Sequence, residues 1–160
     1  MSDPLVNQII QRIKQAAELY YRLLLVVAPA GAGKTTLLRK VGDCIGTRPI
    51  NVNLELSRVM LELTERQRAL QLPRLLRNIL SDIASEVVLL DNIEILFDVS
   101  LQQDPLRLLQ GLSRNKTVVA SWNGSIDNGY LTYAVPDHPE YRRYQIRDFL
   151  VVSPEVTPCS

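Results

Sequence analysis

The sequence predicts an α/β fold of three layers, in which a mainly parallel β-sheet is covered by helices on both faces. Short apolar runs typical of buried strands recur at residues 23–28, 86–91 and 117–121. Segments with helical spacing of apolar residues separate these runs, and such alternation builds parallel sheets. The chain of 160 residues has the length of one domain. We therefore predict a single domain over residues 1–152 and a flexible tail over residues 153–160.

The first elements follow from capping signals and apolar spacing. Ser2 or Asp3 can cap a helix that begins near Pro4, and residues 1–21 form this N-terminal helix. One face of it carries Leu5, Ile9, Ile10, Ile13, Ala16, Ala17 and Tyr20. A strand follows at residues 23–28, and a helix at residues 34–45 ends before Gly46.

The middle of the chain is predicted from alternation and from proline. Residues 50–56 alternate apolar with polar, as a half-exposed strand near a sheet edge does. Residues 58–85 are rich in Leu, Arg, Gln and Glu, and Pro73 is expected to divide them into two helical pieces. Asp104 and Pro105 begin a helix that runs to Leu112.

The C-terminal part carries turn signals between short candidate strands. Turns are expected at 123–124 and 128–129, where Asn precedes Gly, and strands at 131–134 and 148–152. These segments predict a C-terminal β hairpin or strand pair. No stretch after them predicts a helical lid domain.

A phosphate-binding loop is the strongest functional signal. An apolar strand leads into a glycine-containing loop that ends in Gly-Lys-Thr and opens a helix, which is the layout of the P-loop of NTPases. Lys34 would reach the β- and γ-phosphates, and Ala28 stands where the pattern expects its first glycine. The predicted nucleotide-binding residues are Pro29, Ala30, Gly31, Ala32, Gly33, Lys34, Thr35 and Thr36.

A second apolar strand ends in Asp91, which we predict to hold Mg²⁺ together with Thr35. Asp91 stands 57 positions after Lys34, which leaves room for one or two strands and favours the subclass with an extra strand between the two motifs. That subclass usually places its catalytic carboxylate directly after the Asp, but Asn92 follows here. Glu94 could replace the missing acid, or could be an ordinary solvated acid, and Asn92 can only orient water.

A polar residue after the 117–121 strand would lie near the γ-phosphate. Ser121 is the first candidate and Asn123 the second, although either could be a plain strand-end polar group. Residues 115–118 resemble the Asn-Lys-x-Asp motif that reads guanine, but Val118 replaces its Asp. The sequence therefore favours ATP, with Mg²⁺, as the cofactor.

Composition limits the other function classes. The net charge of +1 gives no overall attraction to nucleic acid or to an anionic membrane. Cys44 and Cys159 lie far apart without metal-ligand spacing, which suits a reducing compartment. The start of the chain lacks the features of a signal peptide, and the longest apolar run is too short to span a bilayer. We expect a cytoplasmic protein with no membrane contact.

Several segments together resemble BrxF, a family of small P-loop proteins from bacteriophage-exclusion (BREX) defence systems of bacteria. They are residues 51–57, 65–68, 89–97, 112–117 and 138–142. The resemblance implies an ATPase-like component that acts beside other BREX proteins, among them a DNA methyltransferase and a larger ATPase. The core also resembles the AAA+ ATPases, without their helical lid.

Two functional hypotheses follow. The first is an ATPase of slow to moderate turnover, and the second is a nucleotide-gated module that hydrolyses poorly and docks a partner protein or DNA. A nucleotide-driven homo-oligomer could supply an arginine across a subunit boundary, and the basic segment 141–147 could contact DNA. Ordinary surface arginines explain the same residues. A phosphotransferase is the weakest reading, because no acceptor base is evident.

Overall fold

The computed structural model of the protein describes residues 3–29, 31–134 and 137–154. Its helices are α1 (Pro4–Ala16), α2 (Lys34–Ile45), α3 (Val52–Met60), α4 (Glu65–Ser81) and α5 (Pro105–Leu112), with short 3₁₀ turns at Ile93–Phe97 and Val99–Leu101. Its strands are β1 (Leu23–Ala28), β2 (Ile50–Asn51), β3 (Val87–Asp91), β4 (Thr117–Asp127), β5 (Tyr130–Tyr133), β6 (Arg142–Gln145) and β7 (Leu150–Val152). None of the helices in these ranges has the length and apolarity needed to cross a membrane.

The main sheet has the strand order β2-β3-β4-β1-β7, and its neighbouring strands are parallel. β4 lies between β1 and β3, so the prediction of an extra strand between the two motifs is confirmed. In the register, Ala28 pairs with Asn123 and Asn51 pairs with Asp91. The carboxyl ends of β1, β3 and β4 therefore meet at one edge of the sheet, which is where ligands bind in such folds.

Two apolar clusters fill the space on either side of the sheet. α1 and α2 cover one face with side chains such as Ile9, Leu38 and Val41. α3, α4 and α5 cover the other face, where the cluster also includes Phe97 and Trp122. The three-layer α/β fold is thus confirmed, and the described residues after α5 form strands and turns without another helix.

β4 runs past the main sheet into a three-stranded antiparallel extension with β5 and β6. The predicted turn at 123–124 is wrong, because both residues lie inside β4. A side chain on Gly124 would collide with the carbonyl of Thr132, so glycine here permits the close approach of β5. The predicted turn at 128–129 is confirmed: Asn128 and Gly129 both have positive φ, as a two-residue hairpin requires.

The predicted strand over residues 50–56 is wrong beyond its first two residues. Asn51 ends β2 and caps α3, since its side chain accepts a hydrogen bond from the N–H of Leu54. Val52, Leu56 and Met60 are then buried at helical spacing, whereas Leu54 is exposed. Seven residues are too few to separate a period of 2 from one of 3.6, because both periods place apolar side chains at 52 and 56 on one face.

The predicted division of the next segment at Pro73 is also wrong, because α4 continues through this proline. The helices separate before Thr64 instead, which forms a capping box with Gln67. Pro73 has no N–H for the carbonyl of Ala69, four residues earlier. The Gln103 side chain donates to that carbonyl at 2.8 Å, so a distant residue satisfies the acceptor that the proline leaves open.

Candidate phosphate-binding site

The loop between β1 and α2 has the backbone of a phosphate-binding loop. Gly31 and Gly33 have φ values of 83° and 86°, which only glycine adopts readily. Gly33 caps α2, so the positive end of a twelve-residue helix faces the loop. Ala28 does not have positive φ and ends β1 as a buried residue. Alanine in place of the first glycine therefore carries no backbone strain.

Lys34 begins α2 and is buried. Its ammonium donates to the carbonyl oxygens of Ala28 at 2.8 Å and Pro29 at 2.7 Å. These contacts hold a positive charge against the inner side of the loop, where the helix dipole has the same sign. An anion bound at this position would interact favourably with the Lys34 ammonium and with the positive end of α2.

The Asp91 carboxylate is the best satisfied polar group of the site. One oxygen accepts a hydrogen bond from the Thr35 hydroxyl at 2.6 Å. The other accepts from the Ser121 hydroxyl at 2.7 Å and from the N–H of Asn92 at 2.9 Å. Three donors from three segments fix the carboxylate, so the end of β3 is tied to the start of α2 and to β4.

The chain turns back toward the loop directly after Asp91. Asn92 has a φ of 54°, in the left-handed region, and opens the 3₁₀ turn that carries Glu94. Asn123 donates to one oxygen of Glu94 at 2.7 Å. The other Glu94 oxygen is buried and has no hydrogen-bond partner among the described residues. A buried acceptor without a partner is costly, so this oxygen is a point of local instability in the site.

The charge of Glu94 also acts on a neighbouring tyrosine. Burial raises the pKa of Tyr133 to about 12, and the negative charges of Glu94 and Glu140 add to this shift. Tyr133 also stacks on Phe97, and the two ring centroids lie 3.5 Å apart.

These groups line a single cavity of about 340 Å³ at the carboxyl edge of the sheet. Its walls consist of Gly31, Gly33, Lys34, Thr35, Asp91, Asn92, Glu94 and Asn123. A cation, helix-end donors and acceptor oxygens therefore face one space. This combination suits a phosphate group together with a hard divalent cation.

The other predicted site residues have different positions. Pro29 contributes its carbonyl to Lys34 and accepts from the N–H of Ala32, while the Thr36 side chain is exposed. Ser121 is buried and turned toward Asp91, and it is Asn123 that lines the cavity. Ala30 lies outside the described residues. The functional roles given to these side chains stay predictions.

The donor set fits magnesium better than a soft metal. Thr35 and Asp91 offer a hydroxyl and a carboxylate, the oxygen ligands that Mg²⁺ prefers. No group of three or more His, Cys, Asp or Glu side chains that could hold a metal occurs in the described part of the chain. A cation at Thr35 and Asp91 would therefore take its remaining ligands from phosphate oxygens and water, as Mg²⁺ does in nucleotide sites.

The sequence did not predict two contacts that complete this site: Ser121 with Asp91, and Asn123 with Glu94. It ranked Ser121 before Asn123 for the phosphate side, although alternation along β4 puts these two side chains on the same face. Their distances from the strand end decide between them: the Asn123 carboxamide reaches Glu94, whereas the Ser121 hydroxyl stops at Asp91. No local signal marks this difference.

No protein-family model matches this chain, and no curated protein matches it. Two solved structures share part of the fold. One is AMPPCP-bound DnaA from Aquifex aeolicus, with 18% identity, 76% of this chain and 39% of that chain covered, and a TM-score of 0.43. The other is C. elegans PCH-2, with 19% identity, 78% and 36% covered, and a TM-score of 0.42. This chain thus spans less than two fifths of either.

Proposed function

We propose that the protein binds ATP with Mg²⁺ and hydrolyses it at a slow to moderate rate. The observation that carries the proposal is the 2.6 Å hydrogen bond between Thr35 and Asp91, 56 residues apart, beside Lys34. In P-loop NTPases a Gly-Lys-Thr loop and a distant strand-end aspartate hold a phosphate-bound Mg²⁺ together, and this pairing supports the proposal.

Each residue has a separate task in the proposed site. Lys34 exchanges its carbonyl partners for oxygens of the β- and γ-phosphates, and the backbone N–H groups at the start of α2 bind the same phosphates. Thr35 and Asp91 hold Mg²⁺, which supplies charge neutralisation of the phosphates when it is bound. Ser121 positions Asp91, because its hydroxyl occupies the carboxylate oxygen that is turned away from Thr35.

Glu94 is the proposed group for the attacking water. Its unpartnered oxygen is buried in this structure, and the proposal requires that nucleotide binding exposes this oxygen to a hydrogen bond from that water while Asn123 holds the other oxygen. The carboxylate orients this water and can take its proton while the water oxygen attacks the terminal phosphoryl group. Asn92 lines the same cavity, but its amide cannot take a proton.

The test compares the binding and turnover of ATP in four forms of the protein. Glu94→Gln keeps the size of the side chain, and its amide oxygen can still accept the hydrogen bond from Asn123. We expect turnover to fall about 100-fold, with ATP affinity changed by less than about threefold. Glu86→Gln is the matched control, because Glu86 is an exposed acid at the opposite end of β3. Lys34→Ala should weaken ATP binding at least about 100-fold.

The second candidate is a nucleotide-gated module with little or no hydrolysis. The specific observation in its favour is Asn92, which stands directly after Asp91 where the catalytic acid of related sites is expected. Binding of ATP without measurable turnover in the unaltered protein supports this candidate. Equal turnover in Glu94→Gln and the unaltered protein contradicts the role that we give to Glu94.

The biological setting is proposed from the resemblance to the BrxF family. The protein would act in the cytoplasm of a bacterium beside other BREX proteins, as a nucleotide-dependent oligomer or in contact with DNA. A plaque assay in a host that carries the complete defence system tests this role. Deletion of the gene should restore phage growth, and Lys34→Ala should behave like the deletion. Full protection after deletion contradicts the proposal.

A further inference from the structure

A second surface lies at the opposite end of the sheet, between α4 and α5. Two cavities of about 310 and 170 Å³ adjoin there and share Arg77, Gly111 and Leu112. We call this surface the α4–α5 groove. Lys116, which precedes β4, closes one end of it, so the groove faces the amino ends of the strands.

The groove has an apolar floor. Leu76 and Leu108 line the smaller cavity, Leu80 lines the larger one, and Leu112 belongs to both. Leu108 is only half-buried, so apolar surface remains in contact with solvent. An open apolar channel between two helices suits the apolar face of another helix or peptide.

The charged side chains around this floor all have the same sign. Arg77, Arg107 and Lys116 line the two cavities, and no acid does so in the described part of the chain. The Lys116 ammonium is fixed by the carbonyls of Ile83 and Ser85, at 2.6 and 2.7 Å. By contrast, the Arg77 and Arg107 guanidinium groups have neither a hydrogen bond nor an ion pair with any residue that the structure describes.

Gly111 adds an independent observation. It lies in the last turn of α5, where glycine is less favourable than alanine by about 1 kcal/mol. Its φ is not positive, and a Cβ built on it would meet no atom within 4 Å. Neither the backbone nor the internal packing requires glycine here. Its effect is to keep the shared wall of the two cavities open, so that another backbone can approach α5 closely.

We infer that the α4–α5 groove binds an acidic amphipathic segment of a partner protein. The leucine floor takes the apolar side chains of the segment, and Arg77 and Arg107 pair with its Asp or Glu residues. Nucleic acid fits less well, because its phosphates would gain three cations but would leave the leucine floor uncovered. The inference does not depend on nucleotide binding, since the groove and the phosphate cavity share no residue.

The test uses a phage-displayed library of random 16-residue peptides selected on the full chain. Counter-selection is done on Gly111→Trp, whose side chain fills the groove from an exposed helix position. Gly111→Ala is the matched control, because it also raises helix propensity but leaves the groove open. Circular dichroism and ATP binding are measured on both variants to show that the fold is kept.

We expect the selected peptides to carry Leu, Ile or Phe at helical spacing together with an excess of Asp and Glu. By fluorescence anisotropy, a selected peptide should bind Gly111→Ala like the unaltered chain and bind Gly111→Trp at least about tenfold more weakly. The double variant Arg77→Glu, Arg107→Glu should lose the acidic peptide and bind its Lys-substituted version instead.

Three results would overturn the inference. The first is that no peptide is enriched over the Gly111→Trp counter-selection. The second is a set of enriched peptides that are neutral or basic. The third is binding of a labelled 20-nucleotide DNA that is lost in both Gly111→Trp and the double arginine variant, which would make the groove a nucleic-acid site.

Discussion

The two halves of the phosphate cavity differ in how completely their carboxylates are satisfied. Asp91 receives three hydrogen bonds, from Thr35, Ser121 and the backbone of Asn92. Glu94 receives one, from Asn123, and its second oxygen is buried without a partner in the described structure. The proposed metal side is therefore preorganised by the fold, whereas the proposed water side has an acceptor that the described residues leave unsatisfied.

This contrast separates binding from turnover. Substitutions on the metal side should weaken the affinity for MgATP and lower the free energy of unfolding, because they break contacts between β3, β4 and α2. Substitutions on the water side should alter turnover with little effect on affinity.

Lys34→Ala should have the largest effect. Removal of the ammonium takes away charge-assisted contacts to two phosphates, each worth about 1.5–3 kcal/mol, so the affinity for ATP should fall at least about 100-fold. Isothermal titration calorimetry measures the change. Lys40→Ala is the matched control, because Lys40 lies on the same helix and forms only an exposed ion pair with Asp3. Unchanged affinity in Lys34→Ala contradicts the proposed site.

Ser121→Ala should weaken the proposed metal site without removing a contact to the nucleotide. It removes one buried hydrogen bond to Asp91 and should lower the free energy of unfolding by about 1–2 kcal/mol. The Mg²⁺ concentration needed for half-maximal ATP binding should rise by about three- to tenfold. Ser121→Thr, which keeps the hydroxyl, should restore that concentration, although an added methyl group costs some stability. A fall in stability with no change in the Mg²⁺ requirement assigns Ser121 a structural role only.

Asn123→Ala should act on the water side. Glu94 then loses its one hydrogen bond, so the orientation of its free oxygen is less well defined. We expect kcat to fall about three- to tenfold while KM for ATP stays within about twofold. Steady-state kinetics checks this split. An increase in KM with unchanged kcat shows instead that Asn123 binds the nucleotide directly.

The smallest effect concerns Tyr133. Burial, with the charges of Glu94 and Glu140, raises the pKa of Tyr133 from 10.0 to about 12 in the folded protein. Between these values the unfolded chain binds fewer protons than the folded one, so stability falls as the pH rises through this window. Tyr133→Phe should therefore lose stability less steeply between pH 10 and 12 in urea titrations.

Glu94→Gln provides a spectroscopic test of the same contact. Removal of this charge should lower the pKa of Tyr133, which the ultraviolet absorbance of tyrosinate reports by difference from Tyr133→Phe. No change in the tyrosinate titration shows that the Glu94 charge does not reach Tyr133.

Local sequence signals predicted those parts of the molecule whose geometry depends on neighbouring residues. The P-loop required glycine where φ is positive, at Gly31 and Gly33. The strand bounds at 23–28 and the helix over 34–45 were confirmed, since an uninterrupted apolar run and a glycine stop are both local features. The alternation of strands and helices also predicted the parallel sheet and the meeting of Thr35 with Asp91 at its edge.

Tertiary contacts decided the elements for which the local signals conflict. Pro73 stays inside α4 because Gln103, thirty residues later, supplies a donor for the carbonyl of Ala69. Asn123 and Gly124 form a strand, not a turn, because Asn123 pairs with Ala28 of β1 and Gly124 pairs with β5, which needs the space above Gly124. Gln103 and β1 both lie far along the chain from the residues whose structure they decide.

The sequence by itself thus determined the fold class and the pair of motifs that meet at the sheet edge, since strand, loop and helix propensities act over short distances. Only the tertiary structure decided which polar side chain contacts which: Ser121 with Asp91, and Asn123 with Glu94. The packing of α4 against α5 also forms the groove beside Gly111, which the sequence did not predict. Such contacts depend on differences of an ångström or two between packed elements, and hydrogen bonds lose their strength over that distance.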